Sequence, residues 1–369
     1  MSETNRTLIK TDGISVGYRK KVIAENISFT VNHGEILTLI GPNGSGKSTI
    51  LKSIASQLEL KGGTVFLNEN DMSKLNERDI AKQLSVMLTG KINTELMSCR
   101  DVVESGRYPY TNMLGILSEN DRKAVEDAMK LTGVTELSDS EFTQISDGQR
   151  QRVLLAKAVC QEPDILILDE PTSFLDIKHK LELLNILKKL VHEKGTGVVM
   201  SLHELDLAMK ISDKVLCIKN GKADRYGSAE EIFTSEYIEN LYDIESGTFN
   251  AVFGSSELPS ANGNPEIFVI GGGGNAVNLY RKLQRKGTAF AVGVLHENDI
   301  EYPIAKALAV QVITEKAFEP VSSKSVEKAL ELMKKCRKVI CTVKEFGTMN
   351  SGNKILFEKA VEMGIVSEL

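Results

Sequence analysis

Long apolar runs, paired cysteines and a dominant sign of charge are all missing from this chain, and each absence removes a class of protein. No stretch approaches the roughly 20 consecutive apolar residues that cross a bilayer, and residues 1–6 (MSETNR) carry no apolar leader segment. Such a protein is expected to reach a membrane only through partners. The five cysteines, Cys99, Cys160, Cys217, Cys336 and Cys341, are odd in number, scattered, and include no C-x-x-C pair. This argues against a disulfide framework and for a reducing compartment. Cys336 and Cys341 have no second pair or nearby histidine to complete a zinc site. The 45 basic and 50 acidic residues leave a net charge of −5, so no basic field favours nucleic acid. At 369 residues the chain exceeds the usual domain of about 100 to 200 residues, and two domains are expected.

What is present begins with the nonapeptide Gly41-Pro42-Asn43-Gly44-Ser45-Gly46-Lys47-Ser48-Thr49. The apolar run before it (35–40) reads as a buried strand, and 48–56 has the spacing of a helix. Small residues let backbone N–H groups turn onto phosphate oxygens, and the helix N-terminus adds a favourable dipole. Lys47 can neutralise phosphate charge, and Ser48 can ligate Mg²⁺. Short strands at 13–18 and 27–31 lead into this loop, with Tyr18 either an ordinary strand aromatic or a platform for a base.

Further along, residues 62–68 and 84–88 read as strands and 77–83 as a helix, whereas GRYPYTN (106–112) suits an exposed recognition surface. Ser118 and Asp121 open another helix with a capping box. Small polar residues, Ser146-Asp147-Gly148-Gln149, precede the helical pattern 150–160, giving a second helix terminus suited to an anion. The apolar strand 165–168 delivers Asp169 and Glu170 at its carboxyl end, where open α/β sheets bind ligands. The first carboxylate can reach Mg²⁺ and the second can orient or deprotonate a water. A strand at 197–201 ends near His203, placed to hydrogen-bond a terminal phosphate. A hairpin (214–227) and a helix (230–242) close this region.

Tyr18, GPNGSGKST, ISDGQRQR (145–152), ILILDEPTSFLD (165–176) and LHELD (202–206) occur in that order, and the set resembles the ATP-binding subunit of ABC transporters over residues 6–250. The resemblance implies a P-loop ATPase cassette of RecA-like core, antiparallel β subdomain and helical subdomain. It also implies a head-to-tail dimer with two ATP molecules between the copies. By position, Tyr18 would stack on adenine and Gly41, Pro42, Asn43, Gly44, Ser45, Gly46, Lys47, Ser48 and Thr49 would hold the phosphates. Ser146, Asp147, Gly148 and Gln149 would form the signature facing the opposing ATP. Asp169 and Ser48 would support Mg²⁺, Glu170 would be the general base, Asp176 would lie in the dimer-communication loop and His203 would sense the γ-phosphate. Two positions depart from the family's pattern: Asp147 replaces the commonest Gly, and Thr89 stands where a Gln usually links the metal to the membrane subunits.

GRYPYTN and TSFLDIKHKLELL (172–184) look like the subgroup serving importers of iron-siderophores, haem and cobalamin. Permease subunits and, indirectly, an extracytoplasmic binding protein are then the expected partners, with the chain at the cytoplasmic face of the membrane. A soluble, non-transport ABC ATPase is the alternative, but such proteins usually carry a long coiled-coil insertion or two cassettes, and neither is seen here.

The cassette is expected at 1–254, followed by a Gly, Ser, Asn and Pro-rich linker at 255–264 and a Rossmann-like α/β domain at 265–369. Its first strand (267–270) runs into Gly271-Gly272-Gly273-Gly274-Asn275-Ala276, a G-x-G-x-x-A pattern before a helix. Gly271, Gly273 and Ala276 form a candidate ligand site, with Glu297 or Asp299 available to a ribose. Close helix packing explains the same glycines equally well. An oxidoreductase role ranks last, because no catalytic constellation accompanies the motif.

Overall fold

The computed structural model describes residues 6–88, 96–112 and 115–367. The chain divides into two compact units, Met1–Tyr242 and Asp243–Leu369. In the first unit the strands are β1 (Thr7–Tyr18), β2 (Lys21–Asn32), β3 (Ile36–Ile40), β4 (Gly62–Leu67), β5 (Asn70–Asp71), β6 (Leu84–Met87), β7 (Ile165–Asp169), β8 (Gly197–Ser201), β9 (Lys214–Lys219) and β10 (Lys222–Ser228). The helices are α1 (Lys47–Ile54), α2 (Glu77–Gln83), α3 (Cys99–Glu104), α4 (Glu119–Leu131), α5 (Asp147–Cys160), α6 (Ile177–Lys194), α7 (Leu205–Ile211), α8 (Ala229–Ile232) and α9 (Ser235–Leu241).

Among the described residues, one sheet runs in the order β5-β4-β1-β2-β10-β9-β3-β8-β7-β6. Strands β9, β3, β8, β7 and β6 pair in parallel, whereas β2, β1, β4 and β5 form an antiparallel wing. Every residue of β3, β7 and β8 is buried, as expected of parallel strands covered on both faces. Each such Leu, Ile or Val contributes about 1.5–3 kcal/mol by leaving water. The register sets Leu39 and Asp169 both opposite Ser201, so three strands end at one edge.

Three expectations need correcting. Strands β1 and β2 are longer than the periodicity suggested, because bulges at Thr11/Ile14 and Ile14/Val16 interrupt the alternation. The closing helix is two, α8 and α9, separated where Thr234 adopts an extended conformation. In GRYPYTN, Tyr108 is 76% exposed, but Gly106 and Arg107 are buried. Arg107 donates to Asp121 Oδ1 (2.8 Å), Glu162 Oε2 (2.9 Å) and the Cys160 carbonyl (2.6 Å), and its guanidinium lies over the Tyr110 ring.

The second unit contains β11 (Thr248–Asn250), β12 (Ser255–Glu257), β13 (Ile267–Ile270), α10 (Val277–Arg285), β14 (Phe290–His296), α11 (Tyr302–Leu308), β15 (Gln311–Glu315), α12 (Ser323–Met333), β16 (Lys338–Cys341) and α13 (Ser351–Glu362). Its main sheet is parallel, in the order β15-β14-β13-β16. Alternate residues of β13 feed opposite faces: Phe268 and Ile270 pack with Leu356 and Val339, while Val269 packs with Tyr280 and Phe290. The division at Tyr242/Asp243 precedes the composition shift read as a linker. Part of that stretch is ordered within the second unit, since β12 pairs with β11 and Glu257 receives the Arg281 guanidinium of α10.

Candidate functional site

The loop between β3 and α1 packs too closely for side chains at its first residue: a Cβ on Gly41 would sit 2.0 Å from the Ile218 carbonyl. Its Gly41 N–H donates to Tyr242 Oη at 3.1 Å. Lys47 is 5% exposed, and its Nζ donates to the carbonyls of Gly41 (2.7 Å) and Pro42 (3.1 Å). Burial pushes this ammonium below its ordinary pKa, while Glu170 and Asp169 pull it back up. Ser45 Oγ is buried and has no hydrogen-bond partner among the described residues. An orphaned hydroxyl and a cation inside one loop fit a phosphate ligand.

The carboxylates stand where the strand register sends them. Ser48 Oγ donates to Asp169 Oδ1 at 2.9 Å, joining the start of α1 to the end of β7. Ser201 Oγ donates to the same oxygen at 2.8 Å and accepts the Glu170 N–H at 2.9 Å. Glu170 has φ 49°, a left-handed conformation costly for a side chain and frequent at working sites. Its Oε1 lies 2.6 Å from His203 Nε2, and its Oε2 accepts from Ser173 Oγ at 3.1 Å. Lys47, Ser48, Asp169, Glu170 and His203 are thus linked at one sheet edge.

Of the other predicted residues, Tyr18, Ser146, Asp147 and Asp176 are exposed, and Gly148 and Gln149 are half-buried. Tyr18 ends β1 and is 45% exposed; the same hairpin packs Ile23 and Ala24 against Gly46. Ser146 caps α5, exchanging hydrogen bonds with Gln149, and Asp147 pairs with Arg150 at 2.7 Å. Gly148 faces Leu175. Asp176 caps α6, and the His179 N–H holds its carboxyl below the usual carboxylate range. Thr89 lies outside the described residues.

Sequence reasoning missed Ser201, Tyr242, Glu204 and Gln151. Glu204 accepts from Thr172 Oγ1 (2.8 Å) and Lys180 Nζ (2.6 Å), and Gln151 Nε2 donates to the Pro171 carbonyl (3.0 Å). Burial pushes the Glu204 carboxyl up, but the hydrogen bonds from Lys180 and Thr172 hold it below its ordinary range. Only Ser201 left a usable signal, as the last residue of a strand ending beside Asp169.

In the second unit the glycine loop has a different filling. Gly273 N–H donates to Asp299 Oδ2 at 2.9 Å, and Ala276 N–H donates to Glu301 Oε1 at 2.6 Å. Glu301, 0% exposed, also accepts from Tyr280 Oη at 2.8 Å. A Cβ on Gly271 would stand 2.5 Å from Tyr280 Oη and 2.6 Å from Glu301, so packing alone requires glycine there. Asp299 turns onto the loop and is not held out for a ribose.

The first loop and its acidic strand end define a nucleotide-phosphate site at the carboxyl edge of an α/β sheet. The ABC transporter profile matches residues 24–173, and that of the MJ0874 family matches residues 290–367. An ABC transporter ATP-binding protein of Methanocaldococcus jannaschii is 43% identical over 289 residues, covering 78% of this chain and 100% of that protein. The iron(3+)-hydroxamate import ATP-binding protein FhuC of Bacillus subtilis is 34% identical over 64% of this chain and 88% of its own length. The cobalamin import ATP-binding protein BtuD of Halobacterium salinarum is 30% identical over 80% of this chain and 75% of its own. A dimeric structure of a bacterial ABC transporter cassette superposes with a TM-score of 0.55 and 25% identity, over 60% of this chain and 99% of that one. The chain belongs to the ABC transporter ATP-binding proteins.

Proposed function

We propose that this chain hydrolyses ATP to energise import of an iron chelate or a cobalamin, working as a head-to-tail pair beneath permease subunits at the cytoplasmic face of the membrane. The names of the FhuC and BtuD relatives support the cargo class, and the dimeric cassette supports the pairing. No described helix is long and apolar enough to cross a membrane, so the permease is assigned to other chains. The carrying observation is the linked set Lys47, Ser48, Asp169, Glu170 and His203 at one sheet edge.

In this reading the loop 41–49 holds the phosphates of ATP, Tyr18 supports the base, and exposed Ser146 and Asp147 with half-buried Gly148 and Gln149 meet the ATP of the second copy. Ser48 and Asp169, hydroxyl and carboxylate in contact, suit Mg²⁺, which when bound offsets phosphate charge. Glu170 is the base for the attacking water, held by His203 and Ser173; His203 is placed to sense the terminal phosphate. Asp176 and the exposed Phe174 lie in the segment that meets the partner copy. A groove of about 510 Å³ lined by Arg78, Tyr108, Pro109 and Asn112 suits a permease segment.

Glu170→Gln keeps the shape and removes the base, so ATP binding is retained, a dimer accumulates on ATP, and turnover falls about 10²- to 10⁴-fold. Size-exclusion chromatography with ATP and a phosphate-release assay check this. Unimpaired turnover would remove Glu170 from the base role.

A further inference from the structure

Glu204 is the residue after His203, and the two reach the same segment at different points. His203 touches Glu170, while Glu204 holds Thr172 through Oε2 (2.8 Å) and Lys180 through Oε1 (2.6 Å). Thr172 is 1% exposed, and Lys180 lies in the first turn of α6, the helix capped by Asp176. One carboxylate therefore joins the loop after β8, the segment after β7 and the start of α6. On the far side of that segment, Gln151 of α5 holds the Pro171 carbonyl at 3.0 Å. The segment needs outside support, because Glu170 (φ 49°) and Phe174 (φ 63°) both carry side chains in the left-handed region. Hydrogen bonds to an ionised, half-buried carboxylate are about twice as strong as neutral ones.

We propose that Glu204 is a positioning residue that, through Thr172 and Lys180, fixes the Glu170–His203 pair in register and makes residues 170–176 move with the His203 loop. The hydrogen bonds of the Glu204 carboxylate go to Thr172 and Lys180 and not to the loop 41–49, so its loss spares nucleotide affinity and lowers turnover. The inference rests on the ATPase reading above.

The test is steady-state ATP hydrolysis by the full chain as wild type, E204Q, K180M, T172V, T172S and the E204Q/K180M pair, with ATP affinity measured alongside. Expected for E204Q, K180M and T172V is a kcat about tenfold lower with KM within about twofold of wild type. The double variant should be no slower than the slower single one, because both remove the same link, and T172S, which keeps the hydroxyl, should retain the wild-type rate. An E204Q kcat within about twofold of wild type, or losses that multiply in the double variant, would overturn the proposal. So would a parallel loss of ATP affinity, which would mark a merely structural role. A wild-type chain that binds ATP without turning it over overturns the ATPase reading and this inference with it.

Discussion

The molecule contains two glycine loops built on the same plan, strand then loop then helix, and their electrostatics are opposite. In the first, Lys47 lies inside the loop, and Asp169 sits beyond it on the Ser48 hydroxyl. In the second, the chain's own carboxylates enter: Asp299 takes the Gly273 N–H and Glu301 takes that of Ala276. No lysine follows, since Ala276 is succeeded by Val277. An anion would have to displace a buried carboxylate there, against like charge. What fills the turn, and not the glycine pattern, distinguishes the two loops.

The largest effect on that comparison is expected from Glu301→Ala. It leaves the Ala276 N–H and the Tyr280 hydroxyl buried without their acceptor, at a cost of about 3 kcal/mol to the second unit. Denaturant unfolding of the full chain should show this loss with ATP binding by the first unit unchanged. A second nucleotide site gained by the variant would instead show that carboxylates alone distinguish the loops. A smaller effect separates the second unit by acid. Hydrogen bonds from Ser322 hold the Glu315 carboxyl at about 2, below its ordinary 4.5. A depressed folded pKa contributes stability that is complete above 4.5 and is lost as pH falls toward 2. The melting temperature of Glu315→Gln should therefore lie below wild type at pH 6 and converge with it near pH 2.

Much of the first site was legible because it sits on short apolar strands bounded by motifs. The runs ahead of Gly41 and Asp169 announce β3 and β7, and parallel pairing sends their carboxyl ends to one edge. The local cap at Ser118 was readable for the same reason, as it lies three residues from Asp121, whereas α5 begins at Asp147 and not at 150, because Ser146 caps it with Gln149. Contacts that cross strands left little trace. Glu204 reaches Thr172 and Lys180, and Glu301 reaches Ala276, across separations that no helical or strand period spans. Arg107 was misjudged similarly: a charged residue beside Tyr, Pro and Gly reads as surface, and only the folded chain brings Asp121 and Glu162 to it.

The central claim, that one glycine loop binds nucleotide and the other does not, is tested most directly by counting ATP bound per chain. Equilibrium binding of ATP to Glu170→Gln, where turnover is suppressed, should give one ATP per chain, and adding Lys47→Ala should abolish it. Two ATP molecules per chain, or one that survives Lys47→Ala, would contradict the account.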